Sequence, residues 1–534
     1  MNKMNHALKF YIETVGCQMN VLDSELAMAG LIEAGYQPVS TKRYADIVLF
    51  NTCSVRQHAE DKIYSALGRL KHWKDQKPCA IIGVMGCMAQ KDKDAIFKRA
   101  PHVDIVLGPG QLQKLPDLVK AACEKRCRSH CSRKGRQIAV SLDRMRHQPA
   151  QENTDHRPPA TDRSAVKDSF RQFNPQRLLR ARGNPYQAMV RIMFGCDKFC
   201  SYCIVPDVRG PEQCRPPHEV EAEIRQLADQ GCLEVTLIGQ TVNSYRYRQG
   251  DVLLGRSADV LLDRSTDHVW RLQDLFAMIE NIDGIRRVRF VTSYPRGMTD
   301  ALLQSIRDLP KVMPFVHVPA QSGSSAVLKR MKRNYTACEY RELLDRIYAT
   351  IPGVAVTSDF IVGFCGETDD EYQQTIDLVR YGRFKNSFIF KYSERPGTKA
   401  AEQYADDVPE SVKKRRNNEL LAVQNAISLE LNAAMVGQTV EILVEGVSKS
   451  ATKRQKATAN ANATASDLVP IALPAAVQAQ QQEVVGRSTD GVQLTGRTPC
   501  DRIVVFDGSP SLVGQIIPVK IRTAAPFTLF GEKE

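Results

Sequence analysis

Three cysteines near the middle of the chain are the residues best suited to chemistry. Cys196, Cys200 and Cys203 form a Cys-x3-Cys-x2-Cys loop directly after a predicted strand. Three thiolates from one tight loop suit a four-iron cluster with one iron open to the amine and carboxylate of a substrate. Zinc is the main alternative, but structural zinc usually takes four ligands in two separated pairs, and Cys214 and Cys232 lack such pairing.

Three further cysteines stand at equivalent places in the N-terminal part of the chain. Cys17, Cys53 and Cys87 each follow an apolar run and lie about one strand–helix–strand unit apart. Because parallel strands end at one edge of a sheet, these sulfurs could converge on a second cluster. The alternative is three buried thiols, since cysteine is among the most buried residues. Their repetition at equivalent positions favours the cluster.

The sequences around both triads resemble those of known enzymes. The loop from Cys196 to Cys203, after the first strand of a predicted six-unit barrel, is similar to the cluster loop of the radical S-adenosylmethionine (SAM) superfamily. The segments around the other triad resemble the methylthiotransferase family. They read Gly16-Cys17-Gln18-Met19-Asn20, Asn51-Thr52-Cys53-Ser54-Val55-Arg56 and Gly86-Cys87-Met88-Ala89-Gln90.

This resemblance implies two 4Fe-4S clusters with different tasks. The barrel triad would hold the cluster that cleaves SAM to a 5′-deoxyadenosyl radical. The N-terminal triad, Cys17, Cys53 and Cys87, would hold an auxiliary cluster carrying the sulfur that is methylated and delivered to the substrate. Such chemistry needs two SAM molecules per turnover and electrons from a donor of the flavodoxin or ferredoxin type.

Within the family, the Cys17-Gln-Met-Asn signature resembles the MiaB-type branch. That branch places a methylthio group at C2 of N6-dimethylallyl-adenosine (isopentenyl-adenosine) beside the tRNA anticodon, so the resemblance implies the anticodon loop of tRNA as partner. Methylthiolation of threonylcarbamoyl-adenosine in tRNA or of a ribosomal protein stays an alternative. In a different class, the alternative is a non-catalytic protein that binds zinc and RNA.

Five residues after later predicted strands are candidates for binding SAM. In the superfamily, the turn after the second barrel strand usually contacts the methionine part of SAM, which implies Gly239 and Gln240. Gln321 and Ser322 follow the fourth predicted strand and Gly363 the fifth, at positions that face the site in a barrel. Each of these residues could equally shape a turn.

The order of elements predicts an α/β protein with three folded parts. An N-terminal open parallel α/β domain is predicted over residues 1–122, a central partial (βα)6 barrel of the radical-SAM type over 184–432, and a small β-barrel that resembles the RNA-binding TRAM domain over 433–532. Residues 123–183 are predicted to be a polar, basic linker or insertion, and 447–484 a disordered insert. The barrel strands are predicted at 188–194, 234–238, 287–292, 315–318, 355–362 and 386–392.

Two basic regions are candidates for RNA contacts. Cys123, Cys127 and Cys131 recur every four residues within a basic run, and on a helix they would share one face and could form an extra metal site, although accidental thiols are the preferred interpretation. In the C-terminal part, Arg487, Arg497 and Arg502 are candidates for contacts with the RNA backbone.

Composition narrows the class of protein. The chain has 534 residues, too many for one core, and Lys plus Arg exceed Asp plus Glu by 13. This charge suits a polyanionic partner such as nucleic acid. Fifteen cysteines in a chain of this size suit metal ligands and buried thiols in a reducing compartment, and no apolar run reaches the roughly 20 residues of a membrane span. We therefore expect a cytoplasmic monomer without a membrane segment.

Overall fold

The computed structural model shows how three folded units share the chain. It describes residues 7–54, 57–128, 137–140, 179–248, 268–448, 451–452 and 491–534. Most of the predicted disordered insert and most of the predicted linker lie outside these residues. No helix in the described ranges is long and apolar enough to cross a membrane.

The N-terminal domain is an open, fully parallel sheet in the order β2-β1-β3-β4-β5-β6, with a hydrophobic core on each face. The inner strands β3 and β4 are buried throughout, as expected of strands covered on both sides. The sixth strand falls within the stretch 123–183 of the predicted insertion. The strands are β1 (Lys9–Val15), β2 (Gln37–Pro38), β3 (Ile47–Thr52), β4 (Ile81–Gly86), β5 (Ile105–Leu107) and β6 (Gln137–Ala139). The helices are α1 (Gln18–Glu33), α2 (Gln57–Gln76), α3 (Cys87–Asp92), α4 (Ala95–Arg99) and α5 (Leu115–Arg128).

The central unit is a partial barrel of six parallel strands. They form two three-stranded sheets, β7-β10-β13 and β14-β15-β16, linked by the hydrogen bond from Ser293 N to His317 O (3.2 Å). These strands are β7 (Gln187–Arg191), β10 (Glu234–Ile238), β13 (Arg287–Phe290), β14 (Phe315–His317), β15 (Ala355–Val362) and β16 (Asn386–Lys391). Two short antiparallel pairs are β8 (Met193–Phe194) with β9 (Gln213–Cys214) and β11 (Arg246–Arg248) with β12 (Val269–Arg271).

The helices of the barrel follow their strands, and two of them begin with complete capping boxes. Thr336 and Thr368 each accept a hydrogen bond from the third residue of the helix, while Glu339 and Glu371 bond back to the cap. The helices are α6 (Val205–Arg209), α7 (Pro217–Asp229), α8 (Leu272–Glu280), α9 (Asp300–Asp308), α10 (Ser325–Arg330), α11 (Ala337–Thr350), α12 (Asp369–Gly382), α13 (Lys399–Gln403) and α14 (Glu410–Ala433).

The C-terminal unit is a closed five-stranded barrel in the order β17-β18-β19-β21-β20, with its own apolar core. The predicted fold class, an open α/β domain, a partial (βα)6 barrel and a small β-barrel, is thereby confirmed. The strands are β17 (Thr439–Val447), β18 (Val492–Arg497), β19 (Ile503–Gly508), β20 (Ile516–Ala525) and β21 (Thr528–Lys533).

The C-terminal barrel packs against the amino ends of the central strands. Arg289 of β13 forms ion pairs with Glu234 at the start of β10 (3.0 Å) and with Asp501 of the C-terminal unit (3.3 Å). Lys385, just before β16, pairs with the same Asp501 (2.9 Å). The carboxyl ends of the strands, where barrel enzymes carry their sites, are therefore left to the N-terminal domain.

Helix α1 of the N-terminal domain lies over the carboxyl ends of the central strands. Its Met19, Leu22 and Leu26 form one buried apolar cluster with Phe194 and Ile238, which end β8 and β10. Burial of these side chains holds the N-terminal sheet against the mouth of the partial barrel. The two cysteine triads lie at this interface.

Candidate active site

The loop of the barrel triad is held mainly by main-chain hydrogen bonds. Cys196 N donates to Gly210 O (3.0 Å) and Cys203 N to Cys200 O (3.1 Å). Gly195, directly before the first cysteine, has a φ of +76°, and a Cβ atom there would meet the main chain of Pro211 and Gly210. Only glycine can take this place, and it turns the chain from β8 into the cysteine loop.

An arginine from the opposite side of the barrel reaches this loop. Arg333 Nη1 donates to Cys200 Sγ (3.3 Å), while its other nitrogens donate to Tyr335 Oη (2.8 Å) and Pro319 O (3.1 Å). The guanidinium is thus fixed with one donor on a sulfur of the triad. Sequence reasoning missed this residue, because it is distant from the cysteines in sequence and carries no motif of its own.

Burial sets the ionisation of the barrel thiols. It raises the pKa of Cys196 to about 12 and also raises the pKa of Cys203. Buried thiols of this kind need a nearby positive charge to become thiolates. Three thiols on one loop, beside an arginine donor, are a donor set that fits an iron–sulfur cluster.

The structure brings Cys17, Cys53 and Cys87 to one edge of the N-terminal sheet, as predicted from the parallel strands. They follow β1, β3 and β4 directly, and Cys17 and Cys87 also stand at the starts of α1 and α3. Cys53 and Cys87 are buried and Cys17 is exposed. Gly16 and Gly86 allow this approach, since a Cβ atom on Gly16 would lie 2.9 Å from Cys53 Cβ.

The thiol of Cys17 ionises easily. Its pKa is lowered to about 6, mainly by a hydrogen bond with Cys53, against partial desolvation and with help from the positive charge of Arg209 and the main chain of Asn20 and Met19. Burial raises the pKa of Cys87, although the charge of Arg209 opposes the rise. One thiolate and two closely placed thiols are a second donor set that fits a cluster.

A buried network of amide hydrogen bonds fixes the position of the residues next to Cys17. Asn20 Nδ2 donates to Asn51 Oδ1 (3.0 Å), and Asn51 Nδ2 donates to Asn20 O (2.7 Å) and Ser24 Oγ (2.9 Å). Cys17 Sγ lies 3.2 Å from Asn20 Oδ1, to which it donates only while the thiol is protonated. Both asparagines are fully buried, so the network fixes the start of α1 against the end of β3.

The two triads face each other across one short helix. Cys87 packs in one apolar cluster with Ile204, which follows Cys203 directly, and with Val208 of α6, and α3 packs against α6. The segment that follows the barrel loop therefore contacts the N-terminal triad at Cys87. The sequence places the triads in separate domains and gives no sign of this contact.

The predicted SAM residues after β10 lie at the barrel mouth. A Cβ atom on Gly239 would lie 2.3 Å from the side chain of Met193, so this glycine allows β8 and the turn to pack closely. Gln240 follows it half-buried. Their contact with SAM stays a prediction.

The other three SAM candidates have structural tasks in their loops. Gln321 adopts a φ of +72°, and Ser322 Oγ accepts a hydrogen bond from Ser324 N (3.1 Å). Gly363 N donates to the Glu367 carboxylate (2.6 Å). Gly363 also has a φ of +70°, a conformation that favours glycine. Binding of SAM by Gln321, Ser322 and Gly363 also stays a prediction.

The described residues do not support two other predicted sites, the extra metal site and the RNA contacts of the C-terminal arginines. Cys123 lies on α5, but the side chain of Cys127 and the whole of Cys131 are outside the described residues. Arg497 is bound by Glu445 (3.1 Å) and Asp501 within the chain, and Arg502 Nε donates to Asn432 Oδ1 (3.1 Å). Arg487 lies outside the described residues. Over the described ranges, no group of three or more His, Cys, Asp or Glu side chains is arranged to hold a single metal ion.

Family models match each of the three units. The Radical SAM superfamily matches residues 190–379, the TRAM domain matches 482–533, and the Uncharacterized protein family UPF0004 matches 9–108. Among solved structures, the chain is similar to a radical S-adenosylmethionine methyltransferase, TsrM, from Kitasatospora setae. The TM-score is 0.47 and the identity 13%, over 74% of this chain and 77% of that one, and no conclusion rests on so distant a likeness.

Curated relatives match nearly the whole chain. A tRNA-2-methylthio-N(6)-dimethylallyladenosine synthase of Rhodopirellula baltica is 50% identical over 98% of this chain and 94% of its own length. The enzyme of the same name from Acidovorax sp. is 40% identical over 98% of this chain and 97% of its own. The predicted resemblance is confirmed: the chain belongs to the tRNA-2-methylthio-N(6)-dimethylallyladenosine synthase family of radical SAM methylthiotransferases.

Proposed function

We propose that this protein inserts a methylthio group at C2 of N6-dimethylallyl-adenosine beside the anticodon of tRNA. The observation that carries the proposal is the meeting of two cysteine triads across α6, in a chain that matches synthases of this name over 98% of its length. A radical source and a sulfur carrier must act on the same carbon, so a shared interface is what the reaction requires.

The cofactors follow from the triads. Membership of the radical SAM superfamily implies a 4Fe-4S cluster and SAM, and Cys196, Cys200 and Cys203 would hold that cluster. We infer a second, auxiliary 4Fe-4S cluster on the N-terminal triad. When bound, the first cluster supplies the electron that cleaves SAM and the second supplies the sulfur that is methylated and transferred.

The chain itself positions these groups and packs apolar side chains beside them. Arg333 holds a charged donor on Cys200, where it stabilises negative charge on the sulfur. Met19, Leu22 and Phe194 close the interface between α1 and the barrel with apolar surface. A closed, apolar surround protects a reactive radical from side reactions with solvent.

We propose that RNA binding uses the C-terminal TRAM unit. The TRAM unit exposes Phe527 and Phe530, and aromatic side chains stack on the unpaired bases of RNA loops. The net charge of +13 favours the approach of tRNA. We further propose that the protein acts in the cytoplasm as a monomer and takes its electrons from a flavodoxin- or ferredoxin-type donor.

Mass spectrometry of nucleosides tests the proposal. The anaerobically reconstituted protein is incubated with SAM, a reductant and tRNA that carries N6-dimethylallyl-adenosine, and in parallel with tRNA that carries threonylcarbamoyl-adenosine and with ribosomal proteins. We expect the methylthio product in the first reaction alone. Product in another reaction would reassign the substrate, and a colourless, zinc-containing protein without product would contradict the enzymatic function altogether.

A further inference from the structure

The interface between α1 and the barrel contains a buried cluster of three charges. Asp23 of α1 accepts a hydrogen bond from Arg191 Nη1 (3.0 Å) on Oδ1 and one from Arg209 Nη2 (2.9 Å) on Oδ2. Asp23 has no exposed surface, and Arg209 is only 2% exposed. One carboxylate thus joins the end of β7 to the end of α6 and ties both to the N-terminal domain.

Asp23, Arg191 and Arg209 together hold one positive charge in excess, and the nearby Arg215 and Glu223, whose charges also act on Arg191, pair with each other. Two guanidiniums share one carboxylate, and both also lie over the ring of Phe194, at 5.4 Å for Arg191 and 5.3 Å for Arg209. The ring face attracts a cation only weakly. A buried charge that no anion compensates is costly, so the excess requires a further anion nearby.

Arg209 still has a donor to offer. Its Nη1 is buried and makes no hydrogen bond of ordinary geometry, while a side-chain interaction with the Arg209 guanidinium works to lower the pKa of Cys87. The groups next to the guanidinium are the thiols of the N-terminal triad: although burial opposes it, the charges of Cys87, Asp23 and Cys17 raise the pKa of Arg209. A free N–H group and an excess positive charge therefore lie beside the sulfurs of Cys17 and Cys87.

We propose that Arg209 is a positioning residue for the auxiliary cluster: held by Asp23, it donates its free Nη1–H to the anionic sulfur held there. The inference rests on the proposed function, because it assumes a cluster on Cys17, Cys53 and Cys87. A cluster with thiolate ligands and a further sulfur carries net negative charge, which compensates the excess charge of the arginines. Docking of the N-terminal domain and the charge state of its cluster are then coupled through Asp23.

The charge of Arg209 predicts a direction for the reduction potential. A fixed positive charge beside a cluster stabilises the reduced, more negative state. Replacing Arg209 by glutamine removes that charge while keeping a polar donor, so the auxiliary cluster becomes harder to reduce. Lysine keeps the charge and is expected to restore most of the potential.

A full-length chain with Cys196, Cys200 and Cys203 all replaced by alanine isolates the auxiliary cluster. In this background, a redox titration followed by electron paramagnetic resonance gives the midpoint potential, and iron and sulfide analysis gives the occupancy. We expect a more negative midpoint for Arg209→Gln, a midpoint near that of the parent for Arg209→Lys, and no shift for Arg287→Gln. Arg287 is the matched control, since it is a buried barrel arginine at the amino end of β13 that pairs with Glu441 of β17 (3.1 Å).

Each possible outcome supports or contradicts the proposed role of Arg209. An unchanged midpoint in Arg209→Gln, or an equal shift in Arg287→Gln, would overturn the proposal. If Arg209→Gln fails to hold iron, retention by Arg209→Lys supports the role of charge, and loss in both variants reduces Arg209 to a structural residue. No tRNA is present in these measurements. They are therefore independent of the nucleoside assay, in which a failure of the proposed function would appear as absence of product from the wild-type protein.

Discussion

The two cysteine triads are built in opposite ways. Cys196, Cys200 and Cys203 come from one loop of eight residues, which main-chain hydrogen bonds and one arginine hold in place. Cys17, Cys53 and Cys87 come from three strands, and a buried side-chain network of asparagines supports them. The first triad is local in sequence and the second exists only in the folded sheet.

This difference has a physical consequence. A loop whose donors are peptide groups keeps its shape when side chains change, provided that its glycine remains. A triad assembled across strands depends on the register of the sheet and on each buried amide that holds a strand end. We expect the barrel triad to tolerate substitutions around it and the N-terminal triad to be sensitive to them.

The largest expected effect separates the tasks of the two triads. Cys203→Ala should abolish cleavage of SAM to 5′-deoxyadenosine and, with it, the methylthio product, because the barrel cluster loses a ligand. Cys53→Ala should keep SAM cleavage and lose only the methylthio product. Both compounds are measured by mass spectrometry in one reaction. Cys338→Ala, at an exposed thiol on α11, is the control and should retain both activities. Loss of SAM cleavage in Cys53→Ala would show that the triads do not have separate tasks.

More of the barrel triad than of the N-terminal triad can be predicted from local sequence patterns. The spacing of Cys196, Cys200 and Cys203 is enough to predict the barrel loop, and the alternation of apolar runs predicts six barrel strands close to their observed positions. The convergence of the other triad follows from the rule for parallel strands. Arg333 and Asp23 could not be predicted, because each acts across a contact between distant segments that no local pattern encodes.

A second prediction concerns thiol reactivity in the metal-free protein. The pKa of Cys17 is about 6 and that of Cys196 about 12, so at pH 7.5 the first is almost entirely thiolate and the second almost entirely thiol. The lower nucleophilicity of the more acidic thiolate offsets part of this difference, which leaves alkylation of Cys17 about 10- to 100-fold faster. Iodoacetamide labelling with peptide mass spectrometry measures both rates.

The labelling rates of Cys17 and Cys196 are expected to change with pH over different ranges. Labelling of Cys17 should level off above about pH 7 and fall by half near its pKa of about 6, whereas labelling of Cys196 should keep rising with pH beyond 9. Bound iron should block both reactions. If labelling of Cys17 still rises steadily from pH 7 to pH 9, its pKa is not lowered and the hydrogen bond with Cys53 does not hold in solution.

A third prediction tests the side-chain network. Asn51→Ala removes two donors and an acceptor from a fully buried position and leaves Asn20 and Ser24 with unmet hydrogen bonds. We expect a loss of about 1–3 kcal/mol in the free energy of unfolding and reduced iron in the auxiliary site. Denaturant titration and iron analysis measure the two effects. Asn417→Ala, whose amide donates to Ile389 O in the barrel, should lose stability while retaining all iron.

The smallest expected effect concerns the loop of the barrel triad. Ser201 is fully buried in the barrel loop, and its Oγ donates to Arg330 O (2.9 Å). Ser201→Ala removes this bond but leaves the main-chain bonds from Ser201 N to Met331 O and from Cys196 N to Gly210 O. We expect a loss of about 0.5–1.5 kcal/mol in the free energy of unfolding, with full iron content and unchanged cleavage of SAM. Loss of the barrel cluster in Ser201→Ala would show that a side chain, and not the peptide groups, fixes this loop, and the contrast between the two triads would no longer hold.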